Sequence, residues 1–170
     1  LQARKHQLEG VQWLANLYNH GKSCILADSP GMGKTVTVAL FFEFLKNARH
    51  CSLPHLVIVS SFLERHWGRT LNRWSPSLKS VRIADESCLT QKFDVLIASP
   101  KTAAKFQDSL RKLEWSCLVL DELLQANFFT FASNCVKADF VLVLNWSDVL
   151  CSPLFMLKAV EAMSPRLLGS

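Results

Sequence analysis

Gly31, Gly33, Lys34 and Thr35 fall in the stretch Ala-Asp-Ser-Pro-Gly-Met-Gly-Lys-Thr, residues 27 to 35, and together they suit the holding of a polyphosphate. An anion cradle needs backbone N–H groups pointing inward, so glycine belongs where a side chain would block the approach. It also needs a helix N-terminus facing the phosphates and a lysine long enough to reach the outer ones. A hydroxyl directly after the lysine can hold magnesium. The cradle so read comprises Gly31, Met32, Gly33, Lys34 and Thr35. The strict pattern asks for one more glycine, at position 28, where this chain has Asp28. A glycine-rich turn with an incidental lysine is the plainer alternative, and it leaves the Lys-Thr pair unexplained. Farther along, in "LVLDELLQAN", the carboxylates of Asp121 and Glu122 close an apolar run. Two carboxylates there could serve a metal and an attacking water beside a phosphate. Taken alone, they equally fit a solvated pair at a strand end.

The elements that must position these groups are legible in the hydrophobic pattern. Leu8, Val11, Leu14, Ala15 and Tyr18 repeat at helical spacing and predict a helix over 4–19. "SCILAD" then reads as a buried strand that stops at a Pro-Gly turn. Residues 34–47 are apolar nearly all round, as in a helix packed on more than one side. "HLVIVSS" is the next strand. Leu63, Trp67, Leu71 and Trp74 mark one face of a following helix. "KSVRIAD" and "FDVLIAS" read as strands, followed by a helix over 101–113 and the strand "CLVLDE". A short helical stretch then leads to "DFVLVLNW", and a last helix is expected over 153–163. Most of the six strand candidates are continuous apolar runs, the mark of a parallel sheet covered on both faces. The expectation is a three-layer α/β domain with a mostly parallel sheet.

Composition narrows the class. The chain has 170 residues, 49% of them hydrophobic and 19% charged, which supports a packed core and excludes disorder as its main state. No apolar run approaches the roughly 20 residues that a membrane-spanning helix needs, so no membrane role is expected. Six cysteines are scattered without a Cys-x-x-Cys pair. They predict reduced, structural thiols of an intracellular protein rather than a zinc site. The net charge of +5 fits a nucleic-acid partner weakly. Neither end carries an obvious tail, which reads as one domain cut from a longer chain.

With these segments in order, the chain resembles the Swi/Snf-type chromatin-remodelling ATPases of helicase superfamily two. "RKHQLEGVQWLANLYNHGKSCILADSPGMGKT" is similar to that family's opening, in which a Tyr-Gln-x-x-Gly-x-x-Trp-Leu helix leads into the phosphate loop; His6 stands in place of the tyrosine. "HLVIVSSFLERHWGRTLNRWSPSLKSVRI" resembles the second block, with its paired tryptophans at Trp67 and Trp74. "FDVLIASPKT" and "WSCLVLDE" stand where the next strand block and the Asp-Glu-Ala-His box belong. The resemblance implies a RecA-like fold and identifies residues 1–170 as a single lobe, the first of the two such motors possess. It implies ATP with magnesium as cofactor, Gln7 reading adenine, and Lys34 at the phosphates. It further implies Thr35 and Asp121 at the metal, and Glu122 polarising the attacking water. It also implies a nuclear location and DNA or chromatin as partner.

The chain departs from that pattern beyond the box. Leu123 and Leu124 replace the Ala-His pair, and "NWSDVL" stands where the family carries Gly-Thr-Pro-Leu-Gln-Asn to couple hydrolysis to DNA. A leucine cannot supply a histidine's hydrogen bonds. The transition-state arginines of the family come from the second lobe, and these 170 residues hold no such lobe. These losses point to a degenerate lobe, a pseudo-ATPase that serves as a chromatin-associated protein-interaction module while able to hold nucleotide. Leu123, Leu124, Phe128 and Phe129 are its interface candidates, since the family tends to be polar there. The alternative is the ATP-binding lobe of an active DNA-dependent ATPase or translocase of the remodelling or repair type. DNA contact, if made, is expected at Ser60 and Ser61 and at Ser99, Pro100 and Lys101, residues that equally suit helix capping. In "LERHWGRTLNRW" the tryptophans share one helical face, which predicts core packing with Arg65, His66, Arg69 and Arg73 on a basic outer face.

Overall fold

β1 (Cys24–Leu26) pairs in parallel with Lys137–Leu144, from the far end of the described chain, and this is the most distant pairing in the sheet. The computed structural model describes residues 2–121, 136–145 and 160. Around β1 stand α1 (Lys5–Asn19), before it, and α2 (Lys34–Arg49), β2 (His55–Val59), α3 (Glu64–Trp74) and β3 (Ser80–Arg82), after it. A 3-10 turn (Glu86–Leu89), capped by Asp85, leads to β4 (Val95–Ala98). α4 (Pro100–Lys105), α5 (Gln107–Arg111), β5 (Glu114–Asp121) and β6 (Lys137–Leu144) complete the order. The six strands form one sheet in the order β1-β6-β5-β2-β4-β3, and every pairing is parallel.

Strand periodicity sorts the core into two layers. Val57, Val59, Val95, Ile97, Cys117, Val119, Leu142 and Leu144 face the side covered by α1, α2 and α3. Leu56, Ile58, Leu96, Ala98, Leu118, Leu120, Val141 and Val143 face the other, where α4 and α5 contribute Ala103 and Leu110. Burying each such side chain is worth roughly 1.5–3 kcal/mol, so both faces reward one register. Trp67, Phe41 and Phe42 are fully buried on the first side. The His55 ring stacks on Phe42 at 4.1 Å between centroids, and burial pushes its pKa down to about 3.

The expected elements are present across the described residues, with two differences. The helix expected over 101–113 is broken at Phe106, where the backbone leaves helical geometry (φ −108°, ψ 23°). Phe106 packs against the second core layer there, and α5 restarts behind it. The strand read from Cys117 begins three residues earlier, at Glu114, because Trp115 and Ser116 are also buried in the sheet. The short helical stretch before β6 and, apart from the helical Val160, the helix expected over 153–163 lie outside the described residues. Among the described residues, Cys24, Cys51, Cys88 and Cys117 are free thiols, and no helix is long and apolar enough to cross a membrane.

Candidate nucleotide site

The phosphate loop leaves β1 at the carboxyl edge of the sheet, where open α/β folds bind their ligands. Two backbone positions shape it. Gly31 (φ 82°) and Gly33 (φ 85°) both lie in the left-handed region, which a side chain makes costly. Gly33 is also the N-cap of α2 and has no side chain with which to cap that helix. The N–H groups of its first turn therefore stay available to an anion, with the helix dipole behind them. Thr35 stands in that first turn, one residue after Lys34. The Lys34 ammonium folds back onto its own loop, donating to the Asp28 carbonyl at 2.6 Å and the Ser29 carbonyl at 3.3 Å. A bound phosphate would offer this lysine a charged acceptor in exchange for two neutral ones.

α1 closes the loop from above. The Arg4 N–H donates to Gln7 Oε1 at 2.9 Å, which fixes the amide. Its Nε2 lies so near Gly33 that a Cβ there would collide with it. His6 Nε2 is 3.0 Å from the Met32 carbonyl, a second tie between helix and loop. Gly10 lets α1 approach α2: a Cβ at Gly10 would meet Thr37 Cγ2 at 2.8 Å. Beside the loop opens a cavity of about 510 Å³ lined by His6, Glu9, Trp13, Leu26, Asp28 and Met32, among others. That is ample for a heteroaromatic base.

Asp121 ends β5, two strands along from β1, so the strand ends at Leu26 and Asp121 lie about 10 Å apart on the same edge. It is buried and accepts a hydrogen bond from Trp67 Nε1 at 2.7 Å. This indole touches a candidate site residue, whereas sequence reasoning assigned it only to the core; the hydrogen bond spans 54 residues and leaves no local signal. Asn145, also buried, follows β6 and donates its N–H to the Leu26 carbonyl at 3.2 Å, bracing the start of the loop.

The structure thus brings Gln7, Gly31, Met32, Gly33, Lys34 and Thr35 together and sets Asp121 on the same edge. Glu122, Leu123, Leu124, Phe128 and Phe129 lie outside the described residues. The nucleic-acid candidates form a second group. Ser60 and Ser61 follow β2, and Ser99, Pro100 and Lys101 follow β4, adjacent strands whose register pairs Ile58 with Ala98. Ser99 caps α4 by accepting from the Thr102 N–H at 3.3 Å. Ser60 Oγ is buried and has no partner among the described residues, while Ser61 and Lys101 are exposed.

Residues 6–125 match the model of the SNF2-related domain. The chain belongs to that family. Among curated relatives, it is 33% identical over 129 residues to the mouse SWI/SNF-related matrix-associated actin-dependent regulator of chromatin subfamily A member 1. It is 30% identical over 131 residues to the ISWI chromatin-remodeling complex ATPase ISW1 of Saccharomyces cerevisiae. These matches cover 70% and 71% of this chain but only 12% of each relative. The fold matches the Sulfolobus solfataricus SWI2/SNF2 ATPase core in complex with dsDNA, with a TM-score of 0.85 at 20% identity. That match covers all of this chain and 37% of the other. The same core domain solved separately gives 0.87 at 22% identity, covering all of this chain and 36% of that one. This SNF2-type lobe is therefore the RecA-like, ATPase-core fold that the sequence resemblance implied.

Proposed function

We propose that this SNF2-type lobe binds ATP with magnesium but has lost the coupling that makes such a lobe a motor, and that it serves as a protein-interaction module on chromatin. The observation that carries the first half is the loop itself. Two left-handed glycines, a helix N-terminus whose N-cap has no side chain, and a lysine bonded, among the described residues, to neutral carbonyls form a cradle suited to phosphates. These residues fit the cofactor. Lys34 and the first-turn N–H groups of α2 would hold the phosphates, Thr35 and Asp121 would face the metal, and the cavity beside Met32 would take the base. Bound magnesium supplies neutralisation of phosphate charge. Gln7, packed on Gly33, and His6, bonded to the Met32 carbonyl, brace the loop.

The second half is supported by the residues beyond the Asp-Glu pair. Leu123 and Leu124 replace the Ala-His pair, and "NWSDVL" replaces the DNA-coupling block. The apolar "ELLQANFF", with Leu123, Leu124, Phe128 and Phe129, offers a protein partner more than a polar motor segment would. Relatives named as chromatin-remodelling proteins support a nuclear location. The alternative, an active DNA-dependent ATPase or translocase lobe of remodelling or repair type, is favoured by the retained Asp121 and Glu122. It requires a second RecA-like lobe from the parent protein.

Calorimetric titration with ATP and magnesium, against Lys34→Ala, tests the cradle. Micromolar binding that disappears in the variant is the expected result, and no binding at millimolar nucleotide would refute it. Turnover by the parent protein with DNA present decides between the two readings, since DNA-stimulated hydrolysis would establish the motor.

A further inference from the structure

α3 carries an unneutralised row of arginines on the face turned away from the core. At about 100° per residue, Asn72, Arg65, Arg69, Arg73 and His66 fall within an arc of about 120°, and all five are exposed. The opposite side buries Trp67, Thr70 and Leu71. The ion pairs among the described residues are Lys5–Glu9, Lys46–Asp94 and Arg82–Glu64. Glu64, on α3 itself, faces Arg82 at 4.0 Å, and Asp94, which accepts from the Lys79 N–H beyond the helix, holds Lys46 at 3.0 Å. Arg65, Arg69, Arg73 and His66 are left without a counter-charge among the described residues.

We propose that this face of α3 docks the backbone of a nucleic acid, with the three arginines on successive phosphates of one strand. From Arg65 to Arg73 the helix rises about 12 Å. One strand of duplex DNA places three or four phosphates along that length, at about one per 3.4 Å of axis. Arginine, with its planar fork of donors, is suited to phosphate oxygens in a way lysine is not. A protein partner would need an apolar anchor within the contact; Trp67 turns inward, and the exposed Phe62 stands before the helix, outside the stretch from Arg65 to Arg73. The surface runs down the flank of the lobe, beside β3 and β4, and is separate from the nucleotide cradle. Its arginines are also distinct from the residues after β2 and β4 (Ser60, Ser61, Ser99 and Lys101), so the proposal stands whether or not ATP is bound.

The test is binding of the chain to a short labelled duplex, read by fluorescence anisotropy over a salt series. Replacing all three arginines with glutamine (Arg65→Gln, Arg69→Gln, Arg73→Gln) should weaken binding about tenfold or more at low salt. It should also flatten the slope of log K against log salt by about 2–3, near 0.9 for each phosphate no longer neutralised. These side chains are exposed, so unfolding is not the expected cause; an unchanged circular dichroism spectrum checks that. A Lys101→Ala variant should leave the arginine increment intact. The proposal is overturned if the chain does not bind the duplex, or if the triple variant keeps the parent's affinity and slope. It is also overturned if a polyglutamate peptide binds in preference to DNA through the same arginines, which would assign the face to an acidic protein.

Discussion

Gly33 is where the loop, α2 and α1 meet in one residue. Its φ of 85° costs an L-residue roughly 1–2 kcal/mol, and an added Cβ would press on Gln7 Nε2. Gly33→Ala is therefore expected to lower the urea midpoint by an amount worth roughly 1–3 kcal/mol and to abolish nucleotide binding. A variant that binds ATP as the parent does would mean the loop tolerates another conformation. His55 gives a pH signature of its own. The unfolded chain protonates this ring below about pH 6.5, whereas the fold keeps it neutral down to about 3, through burial. Across that window the unfolded state binds the extra proton, so stability rises with pH there and is lost as pH falls, at up to about 1.4 kcal/mol per unit. Urea midpoints between pH 4 and 7 should fall steeply with acid in the parent and less so in His55→Leu; parallel curves would mean that His55 does not govern this dependence.

At the scale of elements, α3 joins the two proposed sites through opposite faces. Its inner face sends the Trp67 indole to Asp121. Trp67→Phe keeps an aromatic ring in the core but deletes that donor to a buried carboxylate, a loss of roughly 1.5–3 kcal/mol. The more telling readout is the gap between ATP affinity with and without magnesium, expected to shrink because Asp121 loses one of the groups that orient it. An unchanged gap would leave Trp67 as core only. This hydrogen bond marks the border of what the sequence discloses. The amphipathic face of α3 was legible, since Trp67 and Leu71 repeat at helical spacing, and so was the glycine-lysine loop, which is local. The indole-to-carboxylate bond was not, because it depends on β2 and β5 pairing in the register that sets Val59 beside Asp121. The break at Phe106 was hidden for a similar reason. Ala103, Phe106 and Leu110 keep helical spacing, and only the tertiary position of the Phe106 ring separates α4 from α5.

At the scale of the whole molecule, the parallel sheet puts the ATP and nucleic-acid candidates on one edge, and the family resemblance implies that a second lobe completes an ATPase site. If the transition-state arginines come from elsewhere, as the family resemblance implies, turnover by this chain alone should lie about 10³-fold or more below that of a two-lobed enzyme. Steady-state phosphate release measures it, and a rate comparable to two-lobed relatives would show that one lobe suffices. The sheet order also has a temporal side. β1, the strand that presents the phosphate loop, pairs only with β6 among the described strands. The Ser23 hydroxyl just before it accepts from Val141 N–H across 118 residues of chain. At ribosomal rates of about 5–20 residues per second, that interval lasts roughly 6–24 s. The loop's own strand is made early and seated late, so during synthesis the nascent chain carries an unpaired apolar strand that a chaperone has time to find.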